Sequence, residues 1–290
     1  MINLRRARRT GVLEPFSLIT LVFLFVWVVI TLLPAVRLVG MALTPADGSA
    51  DTILSLIPTR FSLANFAEAV RFMREFVTPL PRVFLNSVVY STAGTAIALA
   101  VAIPASFSFA TMQFRGKRVF FYCLLLGLIV PISALLLPEY VTVRLFNIIG
   151  TRWAIILPYA AFAMPLMILI LTSFFKQIST EIYDAAKIDG CTSFDFLWRI
   201  GLPLSKPAVS TCIIFQFLYL WNEFPLALVL LLKQDQFSLP VAVATMMTSR
   251  TSPWHLISSV MILATIPVIV VFVLFQAYFV EGLSEGALIG

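Results

Sequence analysis

Six apolar runs, each close to the ~20 residues that carry a helix across roughly 30 Å of hydrocarbon, constrain this chain more than any other feature. They fall at Phe16 to Val39, Phe84 to Thr111, Val119 to Leu137, Trp153 to Phe175, Ala208 to Leu232 and Leu256 to Val280. Barrel strands would be about ten residues long with period-two alternation. Neither property is present, so the expectation is an all-α membrane protein with six transmembrane helices. Charged residues make up 12% of the chain, about half the share in an ordinary soluble domain. The net charge of +6 does not indicate nucleic acid, because the basic residues gather at the ends of apolar runs and form no continuous patch interleaved with aromatics. Prolines inside the runs (Pro104, Pro131, Pro158, Pro165, Pro225, Pro267) predict kinked helices.

Charge in the short connections orients the bundle. Arg5, Arg6, Arg8 and Arg9 precede the first run, and Arg115, Lys117 and Arg118 fill the turn after the second, which puts both on the cytoplasmic side. Six crossings then leave both termini in the cytoplasm, in a bacterial inner membrane. Arg60, Arg71, Arg74 and Arg82 lie in the first external loop, balanced there by Asp47, Asp51, Glu68 and Glu75. The first run is too long for a signal-peptide core, although Gly48 and Ala50 resemble a cleavage site, and it reads as an uncleaved anchor. Cys123, Cys191 and Cys212 show neither disulfide nor metal spacing.

Between the fourth and fifth runs stands a long polar segment, Ser179 to Pro207, which orientation places in the cytoplasm. Ser179 or Thr180 can cap a short helix carrying Glu181 in its first turn, with Ile182, Ala185 and Ala186 at i, i+3 and i+4. Gly190 is suited to a left-handed turn. Thr192 or Ser193 can cap a second helix with Phe194, Leu197 and Trp198 on one face, ended by Gly201 and Pro203. The prediction is a rigid two-helix elbow with an apolar ridge and acids at Asp184 and Asp189, presented to a soluble partner. A hairpin lying on lipid headgroups is the alternative, but it would carry more Lys and Arg on its polar face.

DAAKIDGCTSFDFLWRIGLPLSKP resembles the EAA loop of the permease subunits of bacterial ABC importers, with matching spacing throughout. FSLANFAEA (Phe61 to Ala69), LYLWNEFPLALVLL (Leu218 to Leu231) and QAYFVEGLSEGALIG (Gln276 to Gly290) resemble the carbohydrate branch, like the second permease of the maltose importer. Asp184 stands where the family has glutamate, Cys191 replaces the usual alanine, and the tail lacks a lysine before its last glycine. The resemblance implies a type I importer transmembrane domain. Residues 1–83 would hold the tail, first helix and external loop, residues 84–281 the five-helix core with its coupling loop at 176–207, and residues 282–290 a cytoplasmic tail. It also implies that Asp184, Ala185, Ala186, Asp189 and Gly190 form the core of an ATPase contact. Implied partners are a second permease, two ATPases holding ATP and Mg, and an extracytoplasmic binding protein that delivers a carbohydrate.

Little in the chain supports chemistry of its own. Gly116-Lys117 is followed by Arg118 and lacks the earlier glycine of a phosphate-cradling Walker A loop, so no nucleotide binds by that route. No catalytic residue, metal ligand or bound cofactor is expected, and His255 reads as a solvated interface residue. A carboxylate within an apolar run is costly, which makes Glu223, with its neighbours Trp221 and Asn222, a substrate-pathway candidate. Pro225 immediately after them supports an equally good local, structural reading. Glu139 beside Pro138 is placed at the external end of the third run. A secondary transporter or channel driven by an ion gradient is the main rival, yet the runs hold few ionisable residues beyond Glu223 and Arg37.

Overall fold

The computed structural model describes residues 15–45, 60–248 and 253–287. The arginines before the first run, Asp47, Asp51, Gly48, Ala50 and residues 288–290 lie outside that set. Every regular element among the described residues is helical. The chain divides into two units, residues 1–69 with 251–263 and residues 70–250 with 264–290.

In the first unit, α1 (Pro15–Leu43) carries no charged residue before Arg37, and its residues from Leu18 to Val36 are exposed all round. Such a helix is suited to lipid or a partner helix rather than to water. The chain after it is pinned back by Asn65, whose amide donates to the carbonyls of Ala42 at 2.9 Å and Thr44 at 2.7 Å. Asn65 lies in the first turn of α2 (Ala64–Phe72).

The second unit is built on α3 (Leu80–Thr111) and α6 (Trp153–Phe175), which pack along much of their length. Gly94, Ala98 and Ala102 recur every fourth residue on the buried face of α3, the small-residue stripe that lets membrane helices approach closely. A Cβ on Gly94 would meet Leu220 Cδ1 at 3.0 Å and Tyr159 Cβ at 3.1 Å. The facing stripe of α6 is Tyr159, Ala160, Ala163, Met167 and Leu171. At its first turns α3 holds the segment 234–239: the Asn86 amide donates to the Asp235 carbonyl at 2.9 Å, the Tyr90 hydroxyl to Gln236 at 2.9 Å, and the Leu239 N–H donates to Ser87 Oγ at 2.7 Å.

Two expected helices are interrupted. The third run is divided into α4 (Lys117–Leu126) and α5 (Ile132–Leu145), because after Gly127 the chain tightens into successive i−3 bonds and Pro131 sits in extended backbone. α5 then passes through Pro138 to Leu145, which puts Glu139 mid-helix rather than at an end. The fifth run is divided into α9 (Lys206–Asn222) and α10 (Pro225–Leu230), with Glu223 extended and Phe224 pushed out of helical geometry by the proline that follows it. Elsewhere α6 coincides with the fourth run, α3 starts four residues early, and α12 (Trp254–Ala287) outruns the sixth at both ends. Among the described residues, four unbroken helices are long and apolar enough to cross a membrane, and a fifth if the segment Ser193–Leu204 is joined to Lys206–Asn222 across its 74° bend. The shorter elements include α7 (Thr180–Ile188), α8 (Ser193–Phe196) and α11 (Leu239–Met247).

Candidate functional site

The polar segment between α6 and α9 folds into two short helices with built-in stops. Ser179 caps α7, its Oγ accepting from the Glu181 N–H at 3.2 Å, while Glu181 and Lys187 complement the two ends of the helix dipole. Gly190 reverses the chain with φ +83°. Nothing lies within 4 Å of a Cβ built there, so backbone conformation and not crowding calls for glycine. Thr192 then makes a capping box with Asp195: its Oγ1 accepts from the Asp195 N–H at 3.1 Å, and the carboxylate accepts from the Thr192 N–H at 3.2 Å. The Thr192 hydroxyl and N–H together hold the Asp195 carboxyl below the usual aspartate range.

The second helix does not end at Gly201 and Pro203 as the spacing predicts. It passes from α8 through a π turn (Leu197–Gly201) into Leu202–Leu204. The Leu202 N–H donates five residues back to Leu197, Pro203 has no N–H to place, and Ser205 resumes the ladder onto Gly201 at 3.0 Å. The wider turn is what lets a proline sit inside.

The elbow has an inner and an outer face. On the inside, the Tyr183 and Phe196 rings meet edge to face at 4.8 Å, and Phe107 of α3 lies 6.0 Å from Phe196 and 5.7 Å from Phe175 of α6. Ala186 and Leu197 are buried in the same cluster, which continues into Ala208 and Cys212 of α9. The Tyr183 and Ser193 hydroxyls are 3.0 Å apart and tie the two helices together. On the outside stand Ile182, Ala185, Ile188, Phe194, Trp198 and Leu204, with Asp184, Asp189 and Glu181 among them. Ile188 is 86% exposed and Phe194 70%. Two expected groupings are therefore revised. Ala186 turns inward while Ile182 and Ala185 turn out, and Leu197 leaves the Phe194 and Trp198 face because the π turn rotates it onto the core. Pro203 is exposed beside Trp198.

The break after α9 is the opposite kind of site. Glu223 is 7% exposed. Its carboxylate accepts from the Tyr159 hydroxyl at 2.7 Å and from the N–H groups of Leu226 at 2.7 Å and Ala227 at 3.0 Å, the first turn of α10. Trp221 is buried, stacked on Phe217 at 5.7 Å. Asn222 is exposed and donates to the Leu218 carbonyl at 2.8 Å. Of the three residues picked out in sequence, only Asn222 faces outward.

A family model described as "Binding-protein-dependent transport system inner membrane component" matches residues 102–285, more than half of the chain and including the whole elbow. The chain belongs to this family. Within it, the permease is 30% identical over 269 residues to the probable ABC transporter permease protein YurM of Bacillus subtilis, covering 93% of this chain and 87% of that one. It is 29% identical to the arabinooligosaccharides transport system permease protein AraQ of Halalkalibacterium halodurans, covering 94% and 96%. Its fold is similar to that of a solved bacterial ABC transporter involved in the import of the acidic polysaccharide alginate, with a TM-score of 0.77 at 21% identity over 91% of this chain and 96% of that one.

The permease also relies on residues that the linear pattern does not mark. Tyr159 answers Glu223 from sixty-four positions away, and Phe107 and Phe175 anchor the elbow from two other helices. Nothing distinguishes these aromatics in sequence from the other Phe and Tyr residues of the apolar runs. Only the elbow's own caps, Ser179, Gly190 and Thr192, announce themselves locally.

Proposed function

We propose that this permease is one transmembrane subunit of an ATP-driven carbohydrate importer, with the elbow as its handle for a cytoplasmic ATPase. The observation that carries the reading is the two-faced elbow: its outer face offers exposed apolar side chains and carboxylates to a partner, and its inner face is fastened to α3, α6 and α9. A push on the outside is thereby transmitted to the spanning helices as rigid-body motion. In this reading Glu181, Asp184, Ala185, Asp189, Gly190, Phe194 and Trp198 meet the ATPase. Ala186, Leu197 and Pro203 keep the handle stiff. ATP and Mg are held by two ATPase chains, and a second permease completes a solute route that opens alternately to each side. An extracytoplasmic binding protein delivers the solute, and both termini lie in the cytoplasm. The arabino-oligosaccharide relative supports a sugar or oligosaccharide as cargo. Asn222, the one exposed member of its trio, is the residue we assign to the pathway, while Trp221 and Glu223 shape the break behind it.

The test is uptake and ATP hydrolysis measured together on the assembled importer in proteoliposomes, with a panel of labelled oligosaccharides. Gly190→Pro cannot adopt the left-handed φ, and Asp184→Lys reverses the contact charge. Both are expected to insert normally, hydrolyse ATP and lose uptake. Wild-type uptake in both variants overturns the handle, and uptake driven by an ion gradient without ATPases overturns the importer reading in favour of a secondary transporter.

A further inference from the structure

Beside the turn that joins α3 to α4, a cavity of about 570 Å³ opens toward the C-terminal end of α6. Among the described residues three cations line it, Lys117, Arg118 and Lys176, and no acidic side chain does. The Lys117 ammonium gives one proton to the Met112 carbonyl at 2.7 Å, which leaves two of its three donors for a ligand. Lys176 Nζ stands 5.9 Å from the Phe121 ring centroid, a contact that steadies the ammonium without neutralising it.

A second, independent observation points to an occupant. Thr172 lines the same cavity, is 1% exposed, and its hydroxyl has no hydrogen-bond partner among the described residues. Buried hydroxyls are normally paired; of the hydroxyls left without a partner among the described residues, the Thr172 hydroxyl is the one beside a cationic wall, where an oxygen-bearing anion would complete it. The flank is apolar: Phe114, Val119 and Tyr122 are exposed at the mouth. Cations gathered at the ends of spanning helices beside exposed apolar side chains match the layout of a lipid, with its phosphate at the interface and its chains in the hydrocarbon. A soluble phosphate satisfies the cations but leaves that flank uncovered.

We propose that this cavity binds the phosphodiester headgroup of an acidic phospholipid, held by Lys117, Arg118, Lys176 and the Thr172 hydroxyl. Lys176 lies three residues before Ser179, so the bound lipid clasps the end of α6 to α4 at the point where α6 leads into the elbow.

The full-length chain, released from detergent and weighed intact by native mass spectrometry, provides the test with three probes: phosphatidylglycerol, phosphatidylcholine and glycerol 3-phosphate. The wild type is expected to retain phosphatidylglycerol and neither of the others. At about fivefold per cation, the Lys117→Gln, Arg118→Gln, Lys176→Gln triple variant loses roughly a hundredfold in retention. Thr172→Val loses a few-fold while Thr172→Ser keeps it, which separates the hydroxyl's role from packing, and Arg144→Gln, away from the cavity, changes nothing. Equal retention of phosphatidylcholine, or of phosphatidylglycerol by the triple variant, overturns the site. Equal binding of glycerol 3-phosphate overturns the lipid as its source. In the assembled importer, a photo-crosslinker at Val119 that captures a protein chain rather than lipid overturns it as well.

Discussion

The break between α9 and α10 and the elbow between α6 and α9 are both places where an apolar chain interrupts its helices with polar residues, and they resolve the problem in opposite directions. At the break, the carboxylate is answered from within: Glu223 takes one hydroxyl and two backbone N–H groups and is buried. At the elbow the helix ends are answered locally, by Ser179, Thr192 and Asp195, while Ile188, Phe194, Trp198 and the carboxylates of Asp184 and Asp189 are left outside. A polar residue in a membrane chain therefore says little about function by type alone. Whether its hydrogen-bonding capacity is already filled inside the subunit says more.

That contrast can be broken by mutation, with stability as the common readout. The largest loss is expected from Glu223→Ala, which strands three buried donors at about 1–3 kcal/mol each. The purified chain should melt at least 10 °C lower or fail to stay monodisperse, whereas Glu223→Gln keeps an acceptor and loses about half as much. A silent Glu223→Ala would mean that the break does not depend on its internal cap. Next comes Gly94→Val, where a new side chain meets Leu220 and Tyr159 within 3.1 Å, an overpacking that costs about 1–3 kcal/mol. At the elbow, Thr192→Ala removes a capping box for about 1 kcal/mol, read as faster amide exchange confined to α8.

The same box responds to acid. Because folding depresses the Asp195 value, its contribution is complete above the ordinary aspartate value near 3.9 and is lost as pH falls through the lower folded value. Protection at α8, with the intrinsic pH dependence of exchange divided out, should hold at mild acidity and fall only in strong acid. The smallest effect on stability belongs to Trp198→Ala on the outer face, within about 0.5 kcal/mol. Uptake should fall sharply in the same variant. If instead stability falls and uptake holds, Trp198 belongs to the core and the two-faced description of the elbow fails.

Helical class, the elbow's position and its caps were all set by local sequence. Apolar runs of spanning length leave no alternative way to satisfy the backbone in lipid, and Ser179, Gly190 and Thr192 act on residues at most three or four away. The interruptions at Pro131 and Pro225 had local causes too, but an apolar run reads the same whether its helix is whole or divided. What tertiary structure alone decided was direction. Leu197 and Ala186 turned inward into the cluster that Phe107 of α3 and Phe175 of α6 contribute, and Glu223 turned inward to meet Tyr159, sixty-four residues away in sequence. Burial and hydrogen-bond partnership belong to pairs of residues. The partners that settled these three were contributed by other helices, and no pattern within one segment encodes them.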